Sequence, residues 1–365
     1  MTTDATTALT RILAKREQEL AAMSAVVGFD GFVDEMIQVV GERRGPGDWT
    51  PLAGIPAFAD WARAAAGRSA LREIVIHRQD PGGCAINLGD GLAALGVGVD
   101  CFATLGDPIQ PAFAPICSRF RSTHPVGDIH GRTLALEFPD GKLMLSAVEP
   151  LARLDADLAE RAILGAGYPQ ACARSRLIAL TNWTLYPHMT GVWRLLSERV
   201  FQALTGIPIL LDLVDPTARS EADLRELLRL LPGLAADCPV TLGVNLNEAN
   251  ILARVLGLPL ATDDPDRLQS LSRSLTESIG VHEVVIHALR HAATPNTACS
   301  GPFCEAPRKL TGAGDRFNAG YGAGLMLGLD DGERLTLAAA ASGWFVRHGN
   351  SASIPALRSC GCVPV

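Results

Sequence analysis

The chain has 365 residues, of which 48% are hydrophobic and 19% are charged, and its formal net charge is −7. A chain of this length and apolar content can bury a large core, which excludes an intrinsically disordered protein. The 32 basic residues are outnumbered by 39 acidic ones and form no long run, so the composition does not indicate nucleic-acid binding.

The sequence has no feature typical of a membrane or secreted protein. Its N-terminal residues are polar and amphipathic, and no stretch approaches the roughly 20 apolar residues that a transmembrane helix needs. The nine cysteines are scattered, without a C-x-x-C pair, which is typical of free thiols in a reducing compartment. We therefore expect a cytoplasmic protein that binds neither nucleic acid nor membrane.

Short β-branched runs alternate with segments of helical periodicity along most of the chain. This pattern predicts strands at Ala25–Phe29, Val99–Leu105, Leu177–Leu180, Ile207–Leu213, Val240–Val244 and Val284–Ala288. It predicts helices at Ala85–Leu95, Leu158–Gly165, Val192–Leu204, Glu221–Leu230, Glu248–Leu256, Arg267–Ile279, Asp315–Leu327 and Glu333–Phe345. The alternation indicates an α/β fold with a mostly parallel sheet, helices on both faces and ligands at the carboxyl ends of the strands.

Two regions interrupt this alternation. The segment Arg132–Ser146 predicts a β-hairpin around the turn Pro139-Asp140-Gly141. The segment Gly41–Pro56 is rich in glycine, proline and tryptophan and is interpreted as an insertion, followed by a helix over Ala57–Ala66. Both indicate a small β appendage on the main sheet. Because no linker divides the chain, we expect a single domain over residues 1–365.

The segment Leu310–Leu327 starts with a threonine and the turn Gly312-Ala313-Gly314, before Asp315 and a predicted helix. Small residues at a helix N-terminus let backbone amides converge, and such a turn binds phosphate oxygens. A carboxylate at this point makes chemical sense if Asp315 accepts the proton of a hydroxyl group that attacks phosphorus. The alternative is an ordinary glycine-rich turn in which an aspartate caps the helix.

Two further motifs are candidates for binding a small ligand. A Gly-Gly pair that ends at Gly83 permits close backbone approach, and the amide of Asn87, one turn into the next helix, can bond hydroxyl groups. Asp30 and Asp34 follow the first predicted strand, and paired carboxylates bind vicinal hydroxyls well. The alternatives are a tight strand-to-helix turn for the glycines and water-facing loop acids for the carboxylates.

The chain carries, in order, the motifs GFDGFVDE, GGCAIN, RTLALEFPDGK, NLNEAN and TGAGDRFNAG. This series resembles the PfkB carbohydrate kinase family, which has a ribokinase-like fold, and covers nearly the whole chain. The resemblance implies a three-layer α/β architecture with a small β lid formed by parts of Phe32–Gly54 and Gly131–Ser146. It also implies Mg²⁺-assisted phosphoryl transfer from ATP to a hydroxyl of a sugar or sugar-like molecule.

The resemblance also implies roles for individual residues. Asp315 would be the general base, and the anion hole would be formed by the amides of Gly312, Ala313 and Gly314. Substrate-binding roles fall on Asp30, Asp34, Gly83 and Asn87. Nucleotide-binding roles fall on Thr311, Asn247, Gly349 and Asn350, and the carboxylate near Mg²⁺ would be Glu248. The lid, which by closing would exclude water, could also pair with a second copy in a homodimer.

Three positions depart from the family pattern. Lys309 stands where the family usually has an aspartate of a monovalent-cation site, and we hypothesise that its ammonium group replaces the cation; the alternative is a solvent-facing lysine. The N-x-x-E motif fits two registers, which begin at Asn245 and Asn247. The segment His287–Ala292 replaces a T-x-G-x-x-G motif that approaches the nucleotide, so side chains stand where backbone is expected.

Two alternative functions remain at this point. A nucleoside kinase of the same fold would need an aromatic-lined base pocket, for which Phe29, Phe32 and Trp49 are candidates. A non-catalytic ligand-binding or regulatory protein is favoured by the altered residues at Lys309 and 287–292. The intact Asp315 and its glycines favour the enzyme.

Overall fold

The structure, a computed structural model, describes Leu9, Leu13 and residues 16–359. Its strands are β1 (Ser24–Phe29), β2 (Phe32–Gly45), β3 (Asp48–Pro51), β4 (Ile74–Gly82), β5 (Gly98–Ala103), β6 (Ser122–Pro125), β7 (Gly131–Phe138), β8 (Gly141–Ala147), β9 (Leu177–Thr181), β10 (Ile209–Asp212), β11 (Val240–Asn245), β12 (Glu283–His287), β13 (His291–Ala293) and β14 (Ala298–Ser300).

The α-helices of the described residues cover both faces of the main sheet and one face of a smaller one. They are α1 (Glu17–Ala21), α2 (Ile55–Ala64), α3 (Cys84–Ala94), α4 (Ala114–Cys117), α5 (Ala156–Ala162), α6 (Tyr168–Arg174), α7 (Met189–Arg199), α8 (Glu221–Asp237), α9 (Leu246–Leu256), α10 (Pro265–Ile279), α11 (Ala313–Met326), α12 (Asp331–His348) and α13 (Ile354–Ser359). Within this part of the chain, none is both long and apolar enough to cross a bilayer.

The main sheet has nine strands in the order β14-β13-β12-β11-β10-β9-β1-β5-β6. The strands from β12 to β6 are parallel to their neighbours, whereas β13 and β14 extend the sheet in antiparallel fashion. The six predicted strands are β1, β5, β9, β10, β11 and β12, and the predicted helices are present with shifted ends. The predicted α/β fold class is therefore confirmed.

Side chains of the central strands alternate between two cores, one on each face of the main sheet. Val26 and Ile178 point to the core formed with α5 to α10. Val27 and Ala179 point to the core formed with α3, α11 and α12. Because both faces are covered, these strands are continuous apolar runs, which explains why the sequence reveals them clearly.

A second sheet of five strands adjoins the carboxyl edge of the main sheet. The chain passes from β1 through Asp30 and Gly31 into β2, which pairs with β7 in parallel fashion and with β3 and β4 in antiparallel fashion. The predicted hairpin is β7 and β8, joined by antiparallel pairing. The predicted insertion Gly41–Pro56 is mostly sheet, because β2 continues to Gly45 and pairs with β3. Strand β4 was missed: it begins with the short apolar run Ile74–Ile76, but its other residues are polar, proline or glycine and most of the strand is exposed.

Candidate active site

Five neighbouring strands of the main sheet present a polar residue at the same edge. In sheet order, from the ends of β12, β11, β10, β9 and β1, these residues are His287, Asn245, Asp212, Asn182 and Asp30. All five line one cavity of about 320 Å³. Parallel strands gather their carboxyl ends at one edge, so the topology joins residues that lie far apart in the sequence.

Asp30 is fully buried and ties the sheet to the start of α3. Its carboxylate accepts hydrogen bonds from the backbone amides of Cys84 and Ala85, at 2.6 and 2.8 Å. It also accepts them from the side chains of Thr181 and Asn182, at 2.6 and 2.9 Å. These four donors match the acceptor capacity of a carboxylate. Asp30 therefore organises the cavity wall, although the sequence suggested that it contacts substrate.

The second sheet contributes a polar row to the cavity. Asp34 on β2 is in register with Thr133 on β7, which is in register with Ser146 on β8. The two hydroxyl oxygens are 3.4 Å apart, and all three residues line the cavity. Burial raises the pKa of Asp34, and a hydrogen bond from Thr133 opposes that shift. Asp34 thus lies in a row of polar side chains on the wall of the cavity.

Gly83 and Asn87 connect this region to the glycine loop. Gly83 has φ +101°, and a Cβ atom there would lie 2.8 Å from the carbonyl oxygen of Asp30, so only glycine fits. One turn later, Asn87 Nδ2 donates a hydrogen bond to Asp315 Oδ2 at 2.8 Å. The structure therefore brings together two motifs that are more than 220 residues apart in the sequence.

The glycine loop precedes α11 and has the backbone of an anion-binding turn. Gly312 has φ +92° and is the residue before the helix. The amide of Ala313 donates to the carbonyl of Leu310 at 3.0 Å, so this amide, predicted as part of the anion hole, is already engaged. Among the described residues, no backbone acceptor takes the amide hydrogens of Gly314 or Asp315. These amides are the available donors at this helix start.

Asp315 lies in the first turn of α11 and is only 7% exposed. Burial raises its pKa to about 6, and the nearby charge of Asp30 acts in the same direction. The adjacent Arg316 and the hydrogen bond from Asn87 oppose the shift. A carboxylate with this pKa is ionised at neutral pH and is a stronger proton acceptor than an ordinary aspartate.

The structure shows which of the two registers of the N-x-x-E motif lies at the cavity: the one that begins at Asn245. Asn245 and Glu248 form a capping box at the start of α9. The side chain of Asn245 accepts a hydrogen bond from the backbone amide of Glu248 at 3.0 Å, and the side chain of Glu248 accepts one from the backbone amide of Asn245 at 2.8 Å. Both line the cavity. Asn247, predicted to bind nucleotide, is exposed and does not line it, and Asn250 bonds the backbone of Ala261.

Glu248 is buried and Asp212 is partly buried, and the pKa of each carboxyl group is raised. Burial raises the pKa of Glu248 to about 7, with the charges of Asp215 and Asp315 adding to the shift. Burial also raises the pKa of Asp212 well above its usual value, and Glu248 and Asp315 contribute. Asp212 accepts a hydrogen bond from Asn318 at 2.7 Å. Sequence reasoning missed Asp212, because it ends an apolar strand and belongs to no motif.

We call this cavity the acidic cavity, since five carboxylates line it. They are Asp30, Asp34, Asp212, Glu248 and Asp315. Among the described residues of its lining, none is a lysine or an arginine. A polyanion can enter such a cavity only if cations or hydrogen-bond donors compensate the negative charge.

A second cavity of about 110 Å³, which we call the apolar slot, adjoins the first. Its apolar lining includes Leu289, Pro302, Phe303, Leu310, Phe317 and Val346. His287 lines both cavities. The predicted nucleotide residues Gly349 and Asn350 lie beyond this lining, and Asn350 Oδ1 instead accepts the indole N–H of Trp344 at 3.3 Å.

Two cations lie near the ring of Phe345, and they differ in burial. Arg316 is 5% exposed, and its guanidinium carbon is 4.3 Å from the ring centre. It donates hydrogen bonds to Asp90 and Ser351, at 2.9 and 3.0 Å. Lys309 is exposed, with Nζ 5.5 Å from the same ring. The buried cation beside the glycine loop is thus Arg316, whereas the sequence suggested Lys309.

The aromatic residues proposed for a nucleoside pocket are not gathered at the cavity. Phe32 lines the acidic cavity. Phe29 is fully buried in the core of the main sheet, and Trp49 lies on β3. The structure therefore gives no aromatic-lined base pocket under the second sheet from these three residues.

Comparison with solved structures identifies the class to which this fold belongs. A ribokinase from Cryptococcus neoformans in complex with ADP has a TM-score of 0.61 and 17% identity, with 92% of this chain and 99% of that chain covered. A ribokinase from Arabidopsis thaliana complexed with ribose and ATP has a TM-score of 0.60 and 16% identity, with 92% and 97% covered. The protein has the ribokinase-like fold, as predicted.

The sequence comparisons identify the family within that class. The family model for prokaryotic ketohexokinase matches residues 2–361, and the chain belongs to this family. A ketohexokinase from Haloferax volcanii is 27% identical over 340 residues, which are 91% of this chain and 89% of that protein. The predicted resemblance to PfkB carbohydrate kinases is confirmed, and the protein is a phosphotransferase that acts on a sugar hydroxyl.

Proposed function

We propose that this enzyme transfers the γ-phosphoryl group of ATP to a hydroxyl of a ketohexose, with Asp315 as the general base. One observation carries the proposal. A buried carboxylate with a pKa of about 6 stands at a helix start beside two available backbone amides. This arrangement combines a proton acceptor with an anion-binding turn, which is what phosphoryl transfer to an alcohol requires.

Asp315 would accept the substrate proton as the new bond forms. The hydroxyl oxygen attacks the γ-phosphorus, the bond from that phosphorus to the β–γ bridging oxygen breaks, and ADP leaves. The hydroxyl proton passes to an Asp315 carboxylate oxygen, while Asn87 holds Oδ2 in place from 2.8 Å. Because the pKa of Asp315 is raised to about 6, it is ionised at physiological pH and can accept the proton readily.

The start of α11 would stabilise the transferring phosphoryl group. The amides of Gly314 and Asp315 are free of backbone acceptors in the described residues, and they lie at the positive end of a 14-residue helix. Of the other two amides predicted for the anion hole, that of Gly312 also has no backbone acceptor among the described residues, whereas that of Ala313 is engaged. Gly312 supplies the left-handed backbone that opens the turn, and the amide of Ala313 holds the turn together through Leu310.

The polar row of the second sheet would bind the sugar. Asp34, Thr133 and Ser146 present a carboxylate and two hydroxyls on one face, and Asn87 adds an amide from α3. A ketohexose offers several hydroxyl groups in a compact ring, which matches this set of short polar side chains. Family membership supports a ketohexose as the substrate, because the related Haloferax protein is a ketohexokinase.

The apolar slot would receive the adenine ring. Phe303 and Phe317 offer aromatic surface there, and Thr311 lies at the edge of the acidic cavity, between the slot and the sugar side. A nucleotide bound in this way would place its base in the slot and its phosphates in the acidic cavity. The roles predicted for Asn247, Gly349 and Asn350 are not part of this proposal, because these residues line neither cavity.

The donor set of the acidic cavity fits Mg²⁺. Asp212 and Glu248 offer carboxylate oxygens, which Mg²⁺ prefers, and burial followed by the charges of nearby carboxylates raises the pKa of both. The described residues contain no cage of three or more ligands, which agrees with a metal bound by one or two carboxylates and by phosphates. When bound, Mg²⁺ would neutralise phosphate charge that no lysine or arginine of the lining can offset.

The second sheet would act as the lid over the sugar and keep water from competing for the phosphoryl group. It also offers a surface for a homodimer. Ile74, Ile76 and Leu145 are 45%, 45% and 54% exposed on β4 and β8. Exposed apolar residues on edge strands favour pairing with a second copy.

A turnover assay tests this function. ADP release with Mg²⁺ and ATP is measured for D-fructose and other ketohexoses, for aldohexoses and for nucleosides. We expect turnover on a ketohexose, and Asp315→Asn should lower kcat about 1,000-fold. Asp266→Asn, in the exposed first turn of α10, is the matched control and should retain wild-type kcat. Preference for a nucleoside, or wild-type turnover by Asp315→Asn, would overturn the proposal.

A further inference from the structure

His287 ends β12 at the boundary between the acidic cavity and the apolar slot, and it lines both. The sequence suggested that a side chain here would obstruct the nucleotide. In the structure, the imidazole instead occupies the wall that the two cavities share. Any molecule that extends from the slot into the acidic cavity must pass this ring.

The ring packs between an aromatic side chain and the glycine loop. Its centre is 4.9 Å from that of Phe317. A Cβ atom at Gly314 would lie 3.2 Å from His287 Cε1 and 3.6 Å from Nε2. The Cε1–Nε2 edge of the imidazole therefore faces the loop whose amides are available for an anion.

The ring of His287 has no polar partner in the part of the chain that the structure describes. The rings of His124, His282, His291 and His348 each form a hydrogen bond. Among the described residues, no hydrogen bond or ion pair reaches the ring of His287. Burial lowers its pKa to about 4, so the ring is neutral and carries one N–H donor and one acceptor. Because the ring lines both cavities, its N–H is placed to donate a hydrogen bond to a ligand that extends from one cavity into the other.

The charge of the surroundings defines the ligand. Among the described residues, His287 is the one that lines both cavities, and its ring can act as a nitrogen donor without carrying a permanent charge. It lies beside the amides of Gly314 and Asp315, where a phosphate would bind. We propose that His287 is a catalytic residue that donates a hydrogen bond from its imidazole to the polyphosphate of the nucleotide, where the chain of phosphates passes from slot to cavity.

This proposal rests on the proposed function, because it requires ATP to bind across the two cavities. A neutral N–H donor suits this position, since a permanent cation would form an ion pair with a nearby carboxylate when no nucleotide is bound. The donor remains available until the phosphates arrive. A hydrogen bond to an anionic phosphate is stronger than one between neutral groups and improves as charge develops on the departing ADP.

Three substitutions separate this role from a structural one. His287→Ala removes the donor and should lower kcat/KM for ATP about 10- to 100-fold, the effect of losing a hydrogen bond to a charged group. The KM for the sugar should change less than about twofold, because none of the residues proposed to bind the sugar lines the apolar slot. His287→Gln retains a donor and should restore part of the loss. His282→Ala, at the residue just before the start of the same strand, is the control for strand stability.

A binding measurement gives a readout that is independent of turnover. NMR signals of the histidine rings are recorded without sugar, while Mg²⁺ and a non-hydrolysable ATP analogue are added. The signal that is missing from the spectrum of His287→Ala is assigned to His287. We expect this signal to shift when the analogue binds, whereas the His282 signal stays in place.

Each outcome decides the proposal. A loss of at least tenfold in His287→Ala, partial rescue by glutamine and a shifted ring signal would support it. Wild-type kcat/KM in His287→Ala, or an unmoved signal while the analogue binds, would overturn it and leave the proposed function intact. If the wild-type enzyme binds no ATP analogue at all, both the proposed function and the role of His287 are wrong.

Discussion

The acidic cavity and the apolar slot share a wall at His287, but they are built from different parts of the chain. The acidic cavity consists mainly of residues at strand ends and helix starts, and five carboxylates line it. The slot consists of loop residues such as Phe303 and of the apolar faces of α11 and α12. One region concentrates charge, and the other offers almost none.

This difference indicates that the two regions would bind different parts of the nucleotide, the base in the slot and the phosphates in the acidic cavity. Burial of an apolar base in the slot supplies binding energy in proportion to the area covered. The acidic cavity by itself repels phosphates, so its contribution depends on a metal ion and on the amides at the start of α11. The comparison predicts that the two regions respond differently to metals, to substitutions and to pH.

Chelation of divalent cations should have the largest effect and should act on the acidic cavity alone. With EDTA, we expect turnover to fall at least about 1,000-fold and ATP binding to be lost, because the phosphates then face five carboxylates without compensation. Adenosine, which lacks phosphates, should bind with the same Kd with and without EDTA in a calorimetric titration. Turnover that persists in EDTA would show that the cavity does not need a metal ion.

Substitution of Asp34 should have the next largest effect. Asp34→Asn should lower kcat/KM for the sugar about 100-fold, which corresponds to the loss of one or two hydrogen bonds to a charged acceptor. The Kd for ATP should not change. Asp80→Asn is the matched control, because Asp80 is in register with Asp34 on β4 but does not line the acidic cavity. Equal losses in both variants would contradict a specific sugar contact.

Substitution of Phe303 tests the slot. Phe303→Ala should raise KM for ATP about tenfold, since stacking of a base on an aromatic ring contributes about 1–3 kcal/mol. The KM for the sugar and the metal dependence should remain as in the wild type. Steady-state kinetics with each substrate varied in turn measure both values, and a change in the sugar KM alone would place the base elsewhere.

The smallest effect concerns stability. Folding raises the pKa of Asp315 from 3.8 to about 6, so the folded state holds the proton more strongly than the unfolded state. The stabilisation from the protonated group is present at low pH and is lost as the pH rises through about 6. Asp315→Asn should therefore be more stable than the wild type at pH 8, by roughly 2–3 kcal/mol, and equal to it near pH 4. Thermal unfolding at the two pH values measures the difference.

The sequence predicted those parts of the site that depend on local chemistry. The strands of the main sheet are apolar runs, and the glycine loop, Asp315, Asn87 and the hairpin of the second sheet each have a local signature. Strand β4 was missed because only its first three residues form an apolar run, and the rest of this largely exposed strand has no alternating pattern.

The remaining features depend on contacts between distant segments. Asp212 has no motif and acquires its role only because β10 lies between β9 and β11. The sequence predicted that Asp30 binds substrate, but its carboxylate accepts hydrogen bonds from backbone amides at the start of α3. Arg316 is a buried cation that forms an ion pair with Asp90 on α3, and these two residues are 226 positions apart in the sequence. Such assignments require the three-dimensional arrangement.

The most direct test of the general base is the pH dependence of the chemical step. Single-turnover rapid quench of the wild type and of Asp315→Asn, with Mg²⁺, ATP and a ketohexose, measures phosphoryl transfer itself. We expect the wild-type rate to fall about tenfold per pH unit below a pKa of about 6. The Asp315→Asn rate should be about 1,000-fold lower at pH 8 and lack this dependence. A variant that keeps the wild-type rate, or the same dependence below pH 6, would contradict the role of Asp315.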